Sequence, residues 1–292
     1  MSTDAPISAP ISLPPASASS KLDAKTFQRL HPRAYLERFL SEGIRPDGRE
    51  PNTWRDVSLN TGSISTAEGS ALVRLGTTTI VCGIKAEVAE PELGRPEHGF
   101  IVPNVDLSSI CSPKFKPGPP GEEAQILSER INAILIQADV VPTPSLCIHP
   151  AKACWVLYID ITCINYDGNA FDACLLAAIA ALRATHLPKP TFDEETERVT
   201  CSRTEKLPLQ VKCIPLSSTF GVFDSKHLLY DPTAFEEPLL ETSITVITDE
   251  KQQILSSSQL GLGPRGDSTV LERCTSAAIE RRLALEKVLN EI

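Results

Sequence analysis

Residues 173–182 read Ala-Cys-Leu-Leu-Ala-Ala-Ile-Ala-Ala-Leu, ten positions without a polar side chain. A helix that is apolar all round has no face to offer water, so it must be buried between layers or lie in a membrane. Ten residues are about half of what a membrane span requires, which leaves burial within the protein. The preceding segment indicates what it is buried against. Over residues 154–163, Trp155, Leu157, Ile159, Ile161 and Cys163 fall on one face with a period of two, as in a strand covered on one side. Strand and helix are joined by a short turn carrying Asp167 and Asp172, acids expected to serve the free N–H groups and the dipole of the helix, with Asp172 as its cap.

The rest of the chain repeats this economy. Residues 70–88 give two β-rich runs around Gly76-Thr77, a hairpin signature. From Gly121 onward, Ala124, Leu127, Ile131, Ile134, Leu135 and Ala138 share one side of a helix whose first turn holds Glu122 and Glu123. After the acidic stretch 192–197, short strands are expected at 209–214, 219–223, 226–230, 243–248 and 252–256. A closing helix follows, capped by Asp267 or Ser268, with Val270, Leu271, Cys274, Ala277, Ala278, Leu285, Val288, Leu289 and Ile292 on its inner face. Strands then helices, twice, predict an α+β fold of two related β/α halves with helices packed on mixed sheets. The expected division is 1–24 as a Ser/Pro/Ala-rich disordered tail, 25–190 as the first unit and 191–292 as the second. Within 25–40 the helical spacing of Phe27, Leu30, Tyr35, Leu36 and Phe39 is interrupted at Pro32 and stopped by Gly43.

Several chemistries are excluded. Lys and Arg total 28 against 37 acids, a formal charge of −9, which does not suit a chain that binds nucleic acid unaided. The nine cysteines include no C-x-x-C pair and read as buried small hydrophobes of a reducing compartment. No apolar run precedes Lys21, so no secretory signal is expected. Gly261, Gly263 and Gly266 match G-x-G-x-x-G, but Pro264 and the missing downstream strand argue for a turn before the last helix. The five histidines lack ligand spacing, no nucleophile elbow or P-loop is present, and neither metal nor cofactor is predicted. Asp193 to Glu197 and Glu236-Glu237 read as solvated loops.

One set of motifs is more specific. Arg45-Pro46-Asp47-Gly48-Arg49, Gly62-Ser63, Glu68-Gly69-Ser70-Ala71-Leu72-Val73, Val102-Pro103-Asn104-Val105-Asp106, Gly118-Pro119-Pro120-Gly121-Glu122-Glu123, Tyr166-Asp167-Gly168-Asn169 and Asp231-Pro232-Thr233 occur in that order. In this the chain, over roughly residues 27–292, resembles the RNase PH family. The likeness is strongest to the RNase PH-like ring subunits of the eukaryotic RNA exosome core that lack a phosphorolytic site.

That resemblance implies an RNase PH-like fold and also a departure from activity. Phosphorolysis needs a cationic, N–H-rich pocket for inorganic phosphate. Where active members carry G-G-T-R after the aspartate matched by Asp167, this chain has Gly168, Asn169, Ala170 and Phe171, so Phe171 stands for the phosphate-gripping arginine with the added carboxylate of Asp172 beside it. Where they place an acid at the start of a later strand, this chain has Ser243. The resemblance therefore implies no catalytic residue and a structural, RNA-path role supporting 3′–5′ RNA processing and degradation. Its implied partners are other RNase PH-like subunits in a six-membered ring, RNA-binding cap subunits, associated exoribonucleases and single-stranded RNA in the pore, with no membrane. Lys114 and Lys116 are the expected phosphate-backbone contacts, while Arg45 and Arg49 read as internal ion-pair or partner-contact residues. Nucleus, nucleolus and cytoplasm are the implied locations. The alternative is an active phosphate-dependent 3′–5′ exoribonuclease with a shifted pocket.

Overall fold

The computed structural model describes residues 24–193, 198–261 and 268–291. Along the chain run α1 (Ala24–Leu30), α2 (Pro32–Ser41), β1 (Val57–Thr61), β2 (Gly69–Leu75), β3 (Thr78–Ala89), β4 (Phe100–Asp106), α3 (Glu122–Gln137), β5 (Cys147–His149), β6 (Ala153–Asn165) and α4 (Ala170–Arg183). They are followed by β7 (His186–Asp193), β8 (Arg198–Pro208), β9 (Leu216–Phe223), β10 (His227–Tyr230), β11 (Thr242–Thr248), β12 (Ile254–Gly261) and α5 (Ser268–Asn290). The first sheet has the order β1-β2-β3-β6-β4, with β5 also on β6; β4 runs parallel to β6 and the other pairings are antiparallel. The second is antiparallel, in the order β10-β9-β11-β12.

The apolar decapeptide forms the body of α4, which lies against β2, β3 and β6 on one side and β9 on the other. Every residue from Ala173 to Leu182 is buried, so the helix needs no polar face because sheet covers it from both halves. β6 buries Trp155, Leu157, Ile159, Ile161 and Cys163 as the alternation requires, and α3 buries Ala124, Ile131, Ile134 and Leu135. The hairpin turn at Gly76-Thr77 joins Leu75 to its cross-strand partner Thr78. Pro32 opens α2, the position at which its missing N–H costs nothing. α2 packs Leu36 and Leu40 on Phe223 and Leu229 of the second sheet, although it precedes the first.

Three expectations are corrected. Asp172 does not cap α4: the helix begins at Ala170, its N-cap Asn169 is left-handed (φ 48°), and Asp172 lies within the first turn. Residues 209–214 are not a strand. Leu209, Val211 and Ile214 pack on the core, but Leu209 N–H donates to Thr185 O and Lys212 N–H to Val140 O, so their alternation is real without a neighbouring strand to pair with. The β7–β8 ribbon lies where no strand is expected from the sequence; its Pro188 and Pro190 are tolerated in a two-stranded ribbon, where the register shifts between them. The 190/191 boundary thus falls inside β7. Leu271 is 42% exposed and leaves the inner face of α5, whereas Arg282 is buried in it. The expected tail up to residue 23, the acidic positions 194–197, the expected Asp267 cap, Gly263, Gly266 and Ile292 lie outside the described residues.

Candidate functional site

The two halves meet at a buried ionic network. Arg55, on the approach to β1, donates from Nε to Asp231 Oδ2 and from Nη2 to Asp231 Oδ1, each at 2.7 Å. Its Nη1 reaches the Asp167 carbonyl at 2.8 Å, so one guanidinium binds the turn before α4 to the loop after β10. Gly76 is glycine for this reason: its φ is +57°, and a Cβ there would lie 2.6 Å from Arg55 Cδ. Burial alone would raise the pKa of Asp231, but the hydrogen bonds and charge of Arg55, with Asn169 and Arg49, outweigh it and hold the carboxyl below its ordinary range. A second buried pair lies alongside, with Arg45 donating to Glu236 from Nε at 2.9 Å and to the Tyr230 carbonyl at 2.6 Å. Glu236 is therefore not the solvated loop residue expected, and Arg45 is the internal ion-pair partner that the sequence suggested.

Asn169 links this network to a cleft. Its Nδ2 donates to Asp231 Oδ1 at 2.6 Å and to Asp172 Oδ2 at 2.9 Å. Asp172 turns toward the second half, accepting from the N–H of Thr219 at 2.8 Å and from its hydroxyl at 2.9 Å. Burial drives the pKa of Asp172 upward against these bonds. The service that Asp167 and Asp172 were expected to give the helix end comes from elsewhere. Glu237 Oε1 accepts the Asn169 N–H at 2.7 Å, and its Oε2 accepts the Tyr166 hydroxyl at 2.6 Å. Burial raises the pKa of Glu237 as well. Glu237 is thus half-buried and engaged, where a solvated residue was expected.

The cleft itself, about 210 Å³, is lined by Asn169, Ala170, Phe171 and Ser243 together with Tyr166, Glu123, Glu237 and Arg130. The structure therefore gathers the residues that the sequence proposed as a degenerate phosphate site and general-acid position, except that Asp172 faces Thr219. The cation beside them is Arg130, centred 3.9 Å above the Phe171 ring and donating to Ser258 Oγ at 3.3 Å. Burial lowers its pKa, the opposite of an arginine held by close carboxylates. Lys114 sits at the rim: its ammonium pairs with Glu123 at 2.8 Å and lies over the Phe115 and Tyr166 rings at 5.4 and 5.5 Å. Lys116 is exposed on the same loop. Arg55, Arg130, Asp231 and Glu237 escaped the sequence reading as a site. The only signal was that two family-like motifs, Tyr166-Asp167-Gly168-Asn169 and Asp231-Pro232-Thr233, supply residues that meet in space.

Comparison with known proteins agrees with this geometry. Residues 53–188 match domain 1 of the 3′ exoribonuclease family, and residues 213–281 match domain 2. The exosome complex component Rrp43 of Schizosaccharomyces pombe is 43% identical over 252 residues, covering 86% of this chain and 93% of the relative. The exosome complex component Rrp42 of Thermococcus gammatolerans is 38% identical over 252 residues, covering 86% and 91%. Among solved structures, the Archaeoglobus fulgidus exosome with RNA bound to the active site superposes with a TM-score of 0.76 at 31% identity, covering 87% of this chain and 96% of that one. Both family domains are matched in order, and they meet at the same network that joins the two halves here: the chain belongs to the RNase PH, or 3′ exoribonuclease, family.

Proposed function

We propose that the chain is a non-catalytic subunit of an exosome core ring, contributing architecture and a stretch of the RNA path to 3′–5′ RNA processing and degradation. Relatives named as exosome components support the ring and its RNase PH-like neighbours. The observation that carries the non-catalytic reading is the composition of the cleft. Phe171 fills the anchoring position, the N–H before α4 is already taken by the Glu237 carboxylate, and Ser243 offers a hydroxyl where an acid is needed. Phosphate entering there meets Glu123 and Glu237 with Arg130 as the one lining cation among the described residues. Cap subunits and nucleases bound to the ring would supply recognition and cleavage, in nuclear, nucleolar and cytoplasmic pools.

A ring assembled so that this chain has the only untested cleft should release no nucleoside diphosphate from RNA in the presence of phosphate. Phe171→Arg alone should not change that outcome. Phe171 is 5% exposed beneath Arg130, so a second guanidinium there would be buried against a like charge. Diphosphate release by the ring or by the variant overturns the reading.

The RNA-path role has its own test. Reversing Lys114 and Lys116 to glutamate in the assembled ring should weaken RNA binding and flatten the log–log salt slope by about 1.4, from roughly 0.7 per lost single-strand phosphate contact. Unchanged affinity, slope and cross-linking at this subunit would leave the chain with an architectural role alone.

A further inference from the structure

We propose that the junction between the two halves is a binding site for one ordered water molecule, a resident component of the fold. A small cavity lies between α4, α5, β9 and the first sheet, leaving about 20 Å³ for the centre of a water molecule. A site of about 10–15 Å³ by this measure is enough for one water, provided that it finds two to four polar partners. The partners are present. Asn169 Oδ1 and Ser217 Oγ both belong to residues lining the cavity and are 3% and 5% exposed respectively as residues; Asn169 Oδ1 has no hydrogen-bond partner among the described residues, and the Ser217 hydroxyl, which faces the Asp172 carboxylate, has no other. One comes from the cap of α4 in the first half, the other from β9 in the second. Arg281, from α5, and Asp172 complete the polar wall, while Leu176 and Leu216 close the apolar one.

The orientation of Asn169 is settled by its amide, since Nδ2 donates to Asp172 and Asp231 and Oδ1 must then be the atom left over. A buried amide carbonyl without a partner would cost about 1–3 kcal/mol. A bridging water removes that cost by donating to Asn169 Oδ1 and to a lone pair of Ser217 Oγ. Charge argues against a cation in the same place. Asp231 is paired with Arg55 and accepts from the Asn169 amide, Asp172 accepts from Thr219 and Asn169, and the Arg281 guanidinium adds a positive charge to the wall. The water therefore acts as a polar link across the halves, beside the Arg55–Asp231 pair and independent of the function assigned to the cleft.

The test uses the full chain. A crystal structure at a resolution that shows waters should place one density peak 2.6–3.2 Å from both Asn169 Oδ1 and Ser217 Oγ. Oxygen-17 magnetic relaxation dispersion in solution should count one long-lived water fewer in Ser217→Val, whose extra methyl fills the site, than in the unaltered protein. Ser217→Ala, which leaves the space but removes one partner, should retain the water with a shorter residence time. Three results would overturn the proposal: an empty cavity in the crystal, the same long-lived water count in Ser217→Val with the fold intact by circular dichroism, or a peak with oxygen distances near 2.4 Å that follows the cation supplied.

Discussion

Arg55→Ala is expected to lower the stability of the folded chain by about 3–5 kcal/mol, the range for breaking one side of a buried ion pair. The guanidinium is 7% exposed and Asp231 is fully enclosed, so the variant leaves a buried carboxylate with only the Asn169 amide and the more distant Arg49, and also removes a donor from the Asp167 carbonyl. Equilibrium urea unfolding measures the loss. A double replacement that also neutralises Asp231 should recover part of it, because the larger share comes from the charge left without a partner. The pH dependence should weaken. In the intact chain the folded pKa of Asp231 is depressed, so its contribution is complete above the unfolded value, about 3.9, and is lost as the pH falls through the folded value. Without Arg55 only Asn169 and the more distant Arg49 oppose burial, so that pKa should rise and the loss of stability in acid should shrink. A loss under about 1 kcal/mol, or an unchanged acid limb, would show that the pair does not hold the halves together.

Gly168→Ala should be comparably severe through a different mechanism. Gly168 has φ +78°, where a Cβ costs roughly 1–2 kcal/mol by itself. The added atom would also lie 2.4 Å from Ala234 N, 2.5 Å from Thr233 C and 2.8 Å from Pro232 O. These are backbone atoms of the loop that carries Asp231, Glu236 and Glu237, so no side chain can rotate away and the loop must shift. We expect a total loss of about 3–4 kcal/mol by urea unfolding, together with weaker protection of the Asn169 amide in hydrogen exchange as Glu237 moves off it. A variant within about 1 kcal/mol of the parent, with that amide still protected, would show that the loop yields cheaply.

Gly168 also shows where sequence reading stops. The residue belongs to a motif that could be quoted, yet nothing in the motif says which backbone lies against it. Asp172 makes the same point. Its position near the start of an apolar helix suggests a cap, but the acceptor it provides is used by Thr219, 47 residues on, and the N–H end is served by Glu237, 68 residues beyond Asn169. Side-chain partners at such separations leave no period or spacing in a chain.

What the sequence determined by itself was the material of the fold. Period-two alternation set the buried face of β6, the unbroken apolar run made α4 an interior helix, and Pro32, Gly43 and the Gly76-Thr77 turn marked where elements change direction. These are local properties, since a strand or helix face is settled by residues two to four apart. The order of the motifs likewise carried the family, and the substitutions at Phe171 and Ser243 carried the doubt about catalysis. Only the tertiary structure decided that Arg55 and Asp231 pair, that Glu237 fills the N–H end of α4, that Arg130 lies over Phe171, and that residues 209–214 find no strand to join. Each of these depends on how two separately patterned halves dock, and docking is set by shape and by the need to satisfy buried charge, neither of which is written in the neighbouring residues.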